Sequence, residues 1–408
     1  MSPRPTPRPT SGPTSLMSPR AWFILAALTI GRIAFGYQFQ SIATLATDLL
    51  PRYGLTYAQL GSLIGAYMIL GVFTALPLGL AGRRFGDRIV LSTGLFLMTA
   101  GGAWCALADG PGGMAAGRAA AGVGAVAMIV MQGKIIAEWF TGRYFMLAIS
   151  LTVCAFSVGM GLAQLLLPSL DAAFGLRGAL LSGALPAGLA FLLFALGYST
   201  PPHAAPIPRT FSLPSRRECV LLAVAGLTWM TFTASYSAFA SYLPATLTLR
   251  GDGAVVVAVA MTFLTWGNVP ATMGGGGLAN RFGNLPVFLA GTAAMAAGMA
   301  GMAVFGWPLA WAAMAGILGG IQPGVIMAVG TLSARPENRA VGMGLFYMVY
   351  YLGGAAAPWA SGVAADAWGG PAGGLLAAAA LGAFGIPCFL LHRALSHRWR
   401  PARAMAVG

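Results

Sequence analysis

Gly79-Leu-Ala-Gly-Arg-Arg-Phe-Gly86 closes one apolar segment, and 197 residues later Gly276-Gly-Leu-Ala-Asn-Arg-Phe-Gly283 closes another. The register persists beyond the two copies, since Gly94 matches Gly291 at the same offset and Arg143 matches Arg339 at an offset of 196. Self-similarity at a fixed offset marks a duplicated structural unit. The chain therefore reads as two halves of one plan, joined by the polar segment from Ser199 to Arg217.

Each half carries six long apolar segments. A helix crosses the ~30 Å hydrocarbon layer with about 20 apolar residues, and such segments lie near 21–46, 56–80, 88–108, 114–138, 144–168 and 176–197, then near 218–245, 253–278, 285–306, 308–332, 338–363 and 372–393. Composition agrees: 58% of residues are hydrophobic and 8% charged, with a mean hydropathy of +0.77, where soluble domains carry about 25% charge. The expected fold is an all-α integral membrane protein with 12 transmembrane helices in two pseudo-symmetric six-helix bundles. Its domain plan is a disordered cytoplasmic tail over 1–19, a bundle over 20–198, a cytoplasmic linker over 199–217, a second bundle over 218–393 and a cytoplasmic tail over 394–408. The first tail is rich in Pro, Ser and Thr, and the helix after it is too long for a signal-peptide core.

The net charge of +14 is explained by topology and calls for no nucleic acid. With the N-terminus cytoplasmic, 17 of the 23 basic residues fall on one side, only Arg52, Arg177 and Arg250 fall on the other, and three lie within spans. This is the positive-inside pattern, and it places both termini in the cytoplasm. Cys105, Cys154, Cys219 and Cys388 sit inside spans at no metal-like spacing. No disulfide framework, metal or cofactor is expected from them.

The three intramembrane cations are the first functional candidates. Lys134, the only lysine, shares the stretch Met114 to Trp139 with Arg118, and Arg32 lies midway along Ala21 to Ala46. The nine acids, Asp48, Asp87, Asp109, Glu138, Asp171, Glu218, Asp252, Glu337 and Asp366, all fall near span ends or loops, and His203, His392 and His397 read as cytoplasmic. An unpaired charge inside a bilayer is costly and marks function by default, so the missing counter-ion is expected to be a substrate anion. Arg32 lies about 11 residues into its span, roughly 16 Å deep, and its planar fork suits a carboxylate-like anion. Gly36 and Gln40, at i+4 and i+8, share its broad face and would complete an anion cradle. Lys134 has two readings, substrate contact or an ion pair with Glu138 four residues on.

Several motifs give the chain a family resemblance. The loop matched by Gly79, Arg84, Gly86 and Arg88, and again by Gly276, Leu278, Ala279, Arg281 and Gly283, is similar to the G-x-L-A-D-R-x-G-R-R motif of the major facilitator superfamily. Arg83 and Asn280 stand where that motif has Asp, and Asp87 is the nearest substitute. Arg118-Ala-Ala-Ala-Gly122-Val-Gly124 resembles the superfamily's R-x-x-x-G-x-G, and Glu138-Trp-Phe-Thr-Gly-Arg143 its E-W-F-x-x-x-R loop, one residue shorter. The proline of the drug-antiporter signature is missing from Ser157-Val-Gly-Met-Gly-Leu-Ala163. Gly31 to Ser41, Lys134 to Phe140 and Gly344 to Gly353 resemble the bacterial cyanate and nitroimidazole permease group.

The resemblance implies a small-solute permease of the bacterial inner membrane, working as a monomer by alternating access, with lipid and a small anionic substrate as its partners. Spans 1, 4, 7 and 10 would line a cavity between the halves. Arg118 then serves packing or gating, together with Gly79, Arg83, Arg84, Gly86, Arg88, Gly122, Glu138, Arg143, Arg281, Gly283 and Arg339. The second half offers Tyr236, Trp266, Asn268, Gln322, Tyr347, Tyr350 and Tyr351 as uncharged binding residues, and Pro323 as a mobile break beside Gln322. With no midplane carboxylate, coupling by anion exchange, facilitated diffusion or the substrate's own proton fits better than a relay. Two alternatives stand beside anion transport: movement of a neutral or aromatic solute, suggested by the tyrosines, and a non-transporting sensor or scaffold. An enzyme would need an acid, base, nucleophile or metal set that these spans lack.

Overall fold

The computed structural model describes residues 18–140, 142–199, 214–335 and 339–399, and among them every regular element is helical. Most of the two expected tails and of the linker lies outside the described residues. Helix α1 spans Pro19–Thr44, α2 Tyr57–Ile69 continued by Gly71–Phe85, α3 Asp87–Leu107 and α4 Pro111–Trp139. Helices α5 (142–174) and α6 (176–197) follow. The second half has α7 Arg216–Leu249, α8 Ala254–Phe282, α9 Asn284–Val304, α10 Pro308–Leu332, α11 Arg339–Trp368 and α12 Ala372–Arg398.

Ten stretches have the length and hydropathy of a span, one of them the 51-residue Leu147–Gly197. That one holds two helices, because Gly175 turns the chain at φ 70° and ψ 172° inside it. With the 30-residue α11, the described residues make twelve. Local signals set the starts. Ser18 caps α1 ahead of Pro19, Thr56 and Gln59 form a capping box on α2, and Ser215 with Glu218 does the same for α7. These side chains satisfy amide groups that open each helix.

The duplicated motif has the same geometry in both copies. Gly86 breaks α2 from α3 at φ 82° and ψ 157°, and Gly283 breaks α8 from α9 at φ 89° and ψ 159°. A one-residue turn carries α2 on to Phe85, beyond the expected end near 80. Nothing lies within 4 Å of a Cβ built on Gly86, so glycine is required by its backbone conformation, not by space. Gly86→Ala is expected to cost about 1–3 kcal/mol and to lower the melting temperature in detergent. Gly274→Ala, equally uncrowded but inside α8, should leave it unchanged or raise it; equal melting of the two variants would remove the conformational argument.

Within the halves α1 packs along α5, α3 along α4, and α7 along α11 and α12; across them α2 meets α11, α5 meets α8 and α1 meets α7. Lipid offers no hydrophobic drive between helices, so close van der Waals approach must hold them. Gly61 and Gly65 of α2 accordingly lie on the carbonyls of Pro358 and Ala355 of α11. Leucines such as Leu185 and Leu196, 71% and 79% exposed, point away from the bundles as a lipid-facing surface would.

The hydrogen bonds that join the halves lie at the middle of the molecule and toward one end. Among the described residues they are Gln40 Nε2 to Ala240 O, the amides of Tyr57 and Ala58 to the Asp366 carboxylate, Tyr242 Oη to Tyr57 O, and Trp266 Nε1 to Ser157 O. All lie level with the middle of the helices or on the side away from the chain ends. The closest approach of α2 to α11 ends similarly at Tyr351, whose ring covers Gly71. On the side carrying both chain ends, no hydrogen bond or ion pair among the described residues links the halves.

Candidate functional site

Arg32 stands at the inner limit of that seam, about 20 Å along α1 from Pro19. Its Nε donates to the carbonyl of Thr152 on α5 at 3.3 Å, and its guanidinium carbon lies 5.2 Å and 5.4 Å from the ring centres of Phe35 and Phe156. Across the seam its titratable neighbours are Tyr347, Tyr350 and Tyr351 of α11. Among the described residues no carboxylate pairs with it, and neither Nη1 nor Nη2 has a hydrogen-bond partner. One edge of the fork is thus anchored while its two-nitrogen end remains available. The two rings compensate part of the desolvation, each cation–π contact contributing roughly 0.5–2 kcal/mol.

Phe35 and Phe156 cover this guanidinium, and further rings line the seam on both halves. On the first side Phe35 lies 4.7 Å from Phe156 and 5.8 Å from Tyr67, with Phe39 at 5.9 Å from Phe156. On the second side a chain of rings runs from Tyr236 through Phe232, Trp229 and Phe346 to Tyr347, Tyr350 and Tyr351, at centroid spacings from 4.9 to 6.3 Å. Tyr236 Oη donates to Leu264 O at 3.3 Å. The Trp229 indole N–H and the Tyr351 hydroxyl are buried with no partner.

Gln132 of α4 donates to Thr152 Oγ1 at 2.7 Å, leaving its own buried Oε1 unpaired. Sequence reasoning missed Gln132 and Trp229. Gln132 carried a signal, an amide two residues from Lys134 in an apolar helix; Trp229 carried none.

Other expected binding residues are occupied elsewhere. Gly36 lies on the carbonyl of Phe156, so its small size admits the α5 backbone and forms no anion cradle. Gln40, 1% exposed, donates across the seam to Ala240 O at 3.2 Å. Gln322, also 1% exposed, faces α9, where it accepts from Thr292 Oγ1 at 2.7 Å. Asn268 accepts from Thr272 Oγ1 and touches the backbone bend of α10 at Gly320. Trp266 lies over Gly161 of α5, which makes it a seam residue. The break expected at Pro323 does exist, as a π turn over Met314–Leu318 and a 3₁₀ turn over Gly319–Ile321.

The three cations within the spans do not form one set. Arg118, 2% exposed, donates to the carbonyls of Leu63, Gln38, Phe39 and Ile64 at 2.7 to 3.3 Å and lies 5.0 Å from the Tyr67 ring. It binds α1, α2 and α4 together. Lys134 has a carboxylate after all, Asp87 at 2.8 Å, with Glu138 farther away at 3.6 Å. Of the two readings of Lys134 the pair with Glu138 is present, and Asp87, which opens α3 beside α4 and lies 47 residues away in sequence, is a closer partner that spacing did not offer. His392, at the end of α12 on the side of the chain ends, is 7% exposed and hydrogen bonded to Ser333 at 2.9 Å.

The remaining motif residues hold helix ends and crossings. Arg88 donates through Nε and Nη2 to Ala195 O at the end of α6. Arg84 and Arg281 lie over Phe85 and Phe282 at 5.5 and 5.2 Å, again alike in both copies. Gly122 lies on the Tyr67 carbonyl of α2, and Gly79 is near Val130. The side chains of Arg83, Arg143 and Arg339 lie outside the described residues. Asp87, 7% exposed in its side chain, is the more buried partner of Lys134 at 34%. Lys134→Met should therefore lower the melting temperature more than Asp87→Asn, since it strands the buried carboxylate. The double variant should be less harmed than the sum, by about 0.5–3 kcal/mol; strict additivity would show that the pair carries no coupling.

Two similar six-helix bundles facing each other define the architecture of a membrane-carrier fold. The chain belongs to the Major Facilitator Superfamily, whose sequence profile matches residues 22–307. A Haemophilus influenzae protein named for metabolite transport is 27% identical over 180 residues, and the chain spans 44% of that relative's length, using 44% of its own. Among solved structures, a bacterial homologue of the human lysosomal transporter Spinster, in an inward-facing and occupied conformation, matches with a TM-score of 0.73 and 18% identity, covering 94% of this chain and 100% of that one. The Escherichia coli xylose transporter XylE, in a partially occluded inward-open conformation, matches with a TM-score of 0.71 and 15% identity, covering 94% and 98%. At such identities these structures establish the fold alone.

Proposed function

We propose that the protein transports a small organic or inorganic anion across the bacterial inner membrane by alternating access, with Arg32 as the anion ligand. The observation that carries this reading is the Nη1–Nη2 end of a half-buried arginine that has no described hydrogen-bond partner and that no described carboxylate neutralises. Two parallel N–H donors suit a planar oxyanion. Tyr347 and Tyr350 would add hydroxyl donors from the other half, so the bound anion would contact both bundles. Rocking of the halves around a site at their interface would then carry it across.

The seam closed away from the chain ends supports an inward-facing state, provided the termini are cytoplasmic. The arginine asymmetry supports that orientation. Alkaline phosphatase fused after Trp399 should be inactive and a fluorescent protein there bright; the reverse would invert the direction of access. Uniport, exchange and co-movement of the substrate's own proton all suit a site with no carboxylate at Arg32's level among the described residues.

The ring-lined walls favour a flat substrate, and the resemblance to the cyanate and nitroimidazole permeases makes these natural probes. A thermal-shift panel of cyanate, nitrate, acetate, benzoate and nitroimidazole, followed by uptake into proteoliposomes, tests the reading. Stabilisation and uptake should be confined to anions. If only the neutral nitroimidazole acts, the aromatic surfaces define the substrate and the second reading, neutral-solute transport, replaces the first.

A further inference from the structure

On the side of the chain ends, α7, α10, α12 and the α8–α9 turn enclose a cavity of ≈ 1060 Å³. Its lining includes Arg217, Arg335, Arg393 and His397, all exposed, and among the described residues none of these arginines is in an ion pair. Arg217 lies over the Trp399 ring at 5.9 Å. The acid in the lining, Glu218, is 6% exposed and accepts from the backbone amides of Ser215 and Arg335 at 2.8 Å each. Its charge therefore serves the α7 cap and the end of α10.

The duplication explains why the space exists. At the offset of 197, which also superposes Pro111 on Pro308, Asp87 corresponds to Asn284, Lys134 to Thr331 and Glu138 to Arg335. The first half fills this position with the Asp87–Lys134–Glu138 network. The second copy has lost both carboxylates and the lysine at these positions and gained an arginine; the acid that lines the cavity, Glu218, comes from α7 instead. Val329 and Phe389 form an apolar wall, and the 72% exposed Leu332 and 58% exposed Phe282 extend it outward.

We propose that this cavity is a second binding site, taking a phosphate-bearing anion with its phosphate among Arg217, Arg335 and Arg393. Guanidinium forks match phosphate oxygens, and several cations at one point suit a group with more than one anionic oxygen. The phosphate can belong to an anionic phospholipid whose chains follow Leu332 and Phe282, or to a soluble phosphate monoester. Basic recesses between helices at the membrane surface suit the lipid source.

The test uses the full chain in detergent with three probes: phosphatidylglycerol, phosphatidylcholine and glycerol 3-phosphate. Melting is recorded, and bound lipid is counted by native mass spectrometry, which does not depend on how the unliganded variant melts. Phosphatidylglycerol should bind and stabilise while phosphatidylcholine does not. The Arg217→Gln/Arg393→Gln variant should weaken the anionic probe at least about tenfold, and Arg84→Gln, outside the cavity, should not. Stabilisation by glycerol 3-phosphate, lost in the double variant, assigns the same site to a soluble ester. The proposal is overturned if neither anionic probe binds, if phosphatidylcholine binds as well as phosphatidylglycerol, or if the double variant binds as wild type does.

Discussion

Arg32→Gln is expected to eliminate anion binding while leaving the protein as stable as wild type, or more stable. The guanidinium holds one carbonyl at 3.3 Å and leaves two nitrogens without protein partners, so little folding energy depends on it and a desolvated charge is removed. Loss of a charged partner from a buried ligand contact costs about 2–5 kcal/mol, a weakening of at least roughly thirtyfold. Arg32→Lys keeps the charge but not the fork and should retain weak binding with poor discrimination among anions. Isothermal titration and melting curves on the same preparations separate the effects. A glutamine variant that binds the substrate anion like wild type would make Arg32 a structural residue and withdraw the main support for anion transport.

Arg118→Leu should behave in the opposite way. This arginine donates to four carbonyls on two neighbouring helices, and none of those bonds can be remade by an apolar side chain. Charge-assisted bonds contribute roughly 1.5–3 kcal/mol each before desolvation is offset, so a net loss of about 3 kcal/mol or more is expected, with a large fall in melting temperature and yield. Arg118→Lys should rescue only partly, because a single ammonium cannot span acceptors on α1 and α2 together. Wild-type melting of Arg118→Leu would contradict the assignment. The two arginines thus test the reading from both sides: Arg118 is satisfied by four carbonyls, and Arg32 keeps two nitrogens without a described partner.

The distinction between them was not legible from composition or spacing. Both lie within apolar spans, and neither has an acid nearby in sequence. Arg32 stood out because it is central in its span; the structure adds that its Nε is bonded to Thr152 O while the rest of the fork has no described partner. Gly36 and Gln40, chosen because they share its helix face, belong to the α1–α5 packing and the α1–α7 seam. A face of a helix 26 residues long meets several neighbours, and spacing alone does not say which neighbour each residue meets.

The sequence by itself determined the twelve helices, their pairing into two bundles and the shared turn at Gly86 and Gly283. Hydrocarbon obliges each spanning segment to satisfy its own backbone, so a hydropathy profile and an internal repeat are enough to define the elements. Only the tertiary structure decided which charges are paired. Lys134 finds Asp87 through the packing of α3 on α4, Arg118 finds carbonyls of α1 and α2, and Arg32 finds one carbonyl of α5 and no described carboxylate. Ion pairing in a membrane depends on distances of a few ångströms between residues separated by tens to hundreds of positions, and those distances are set by how the helices pack.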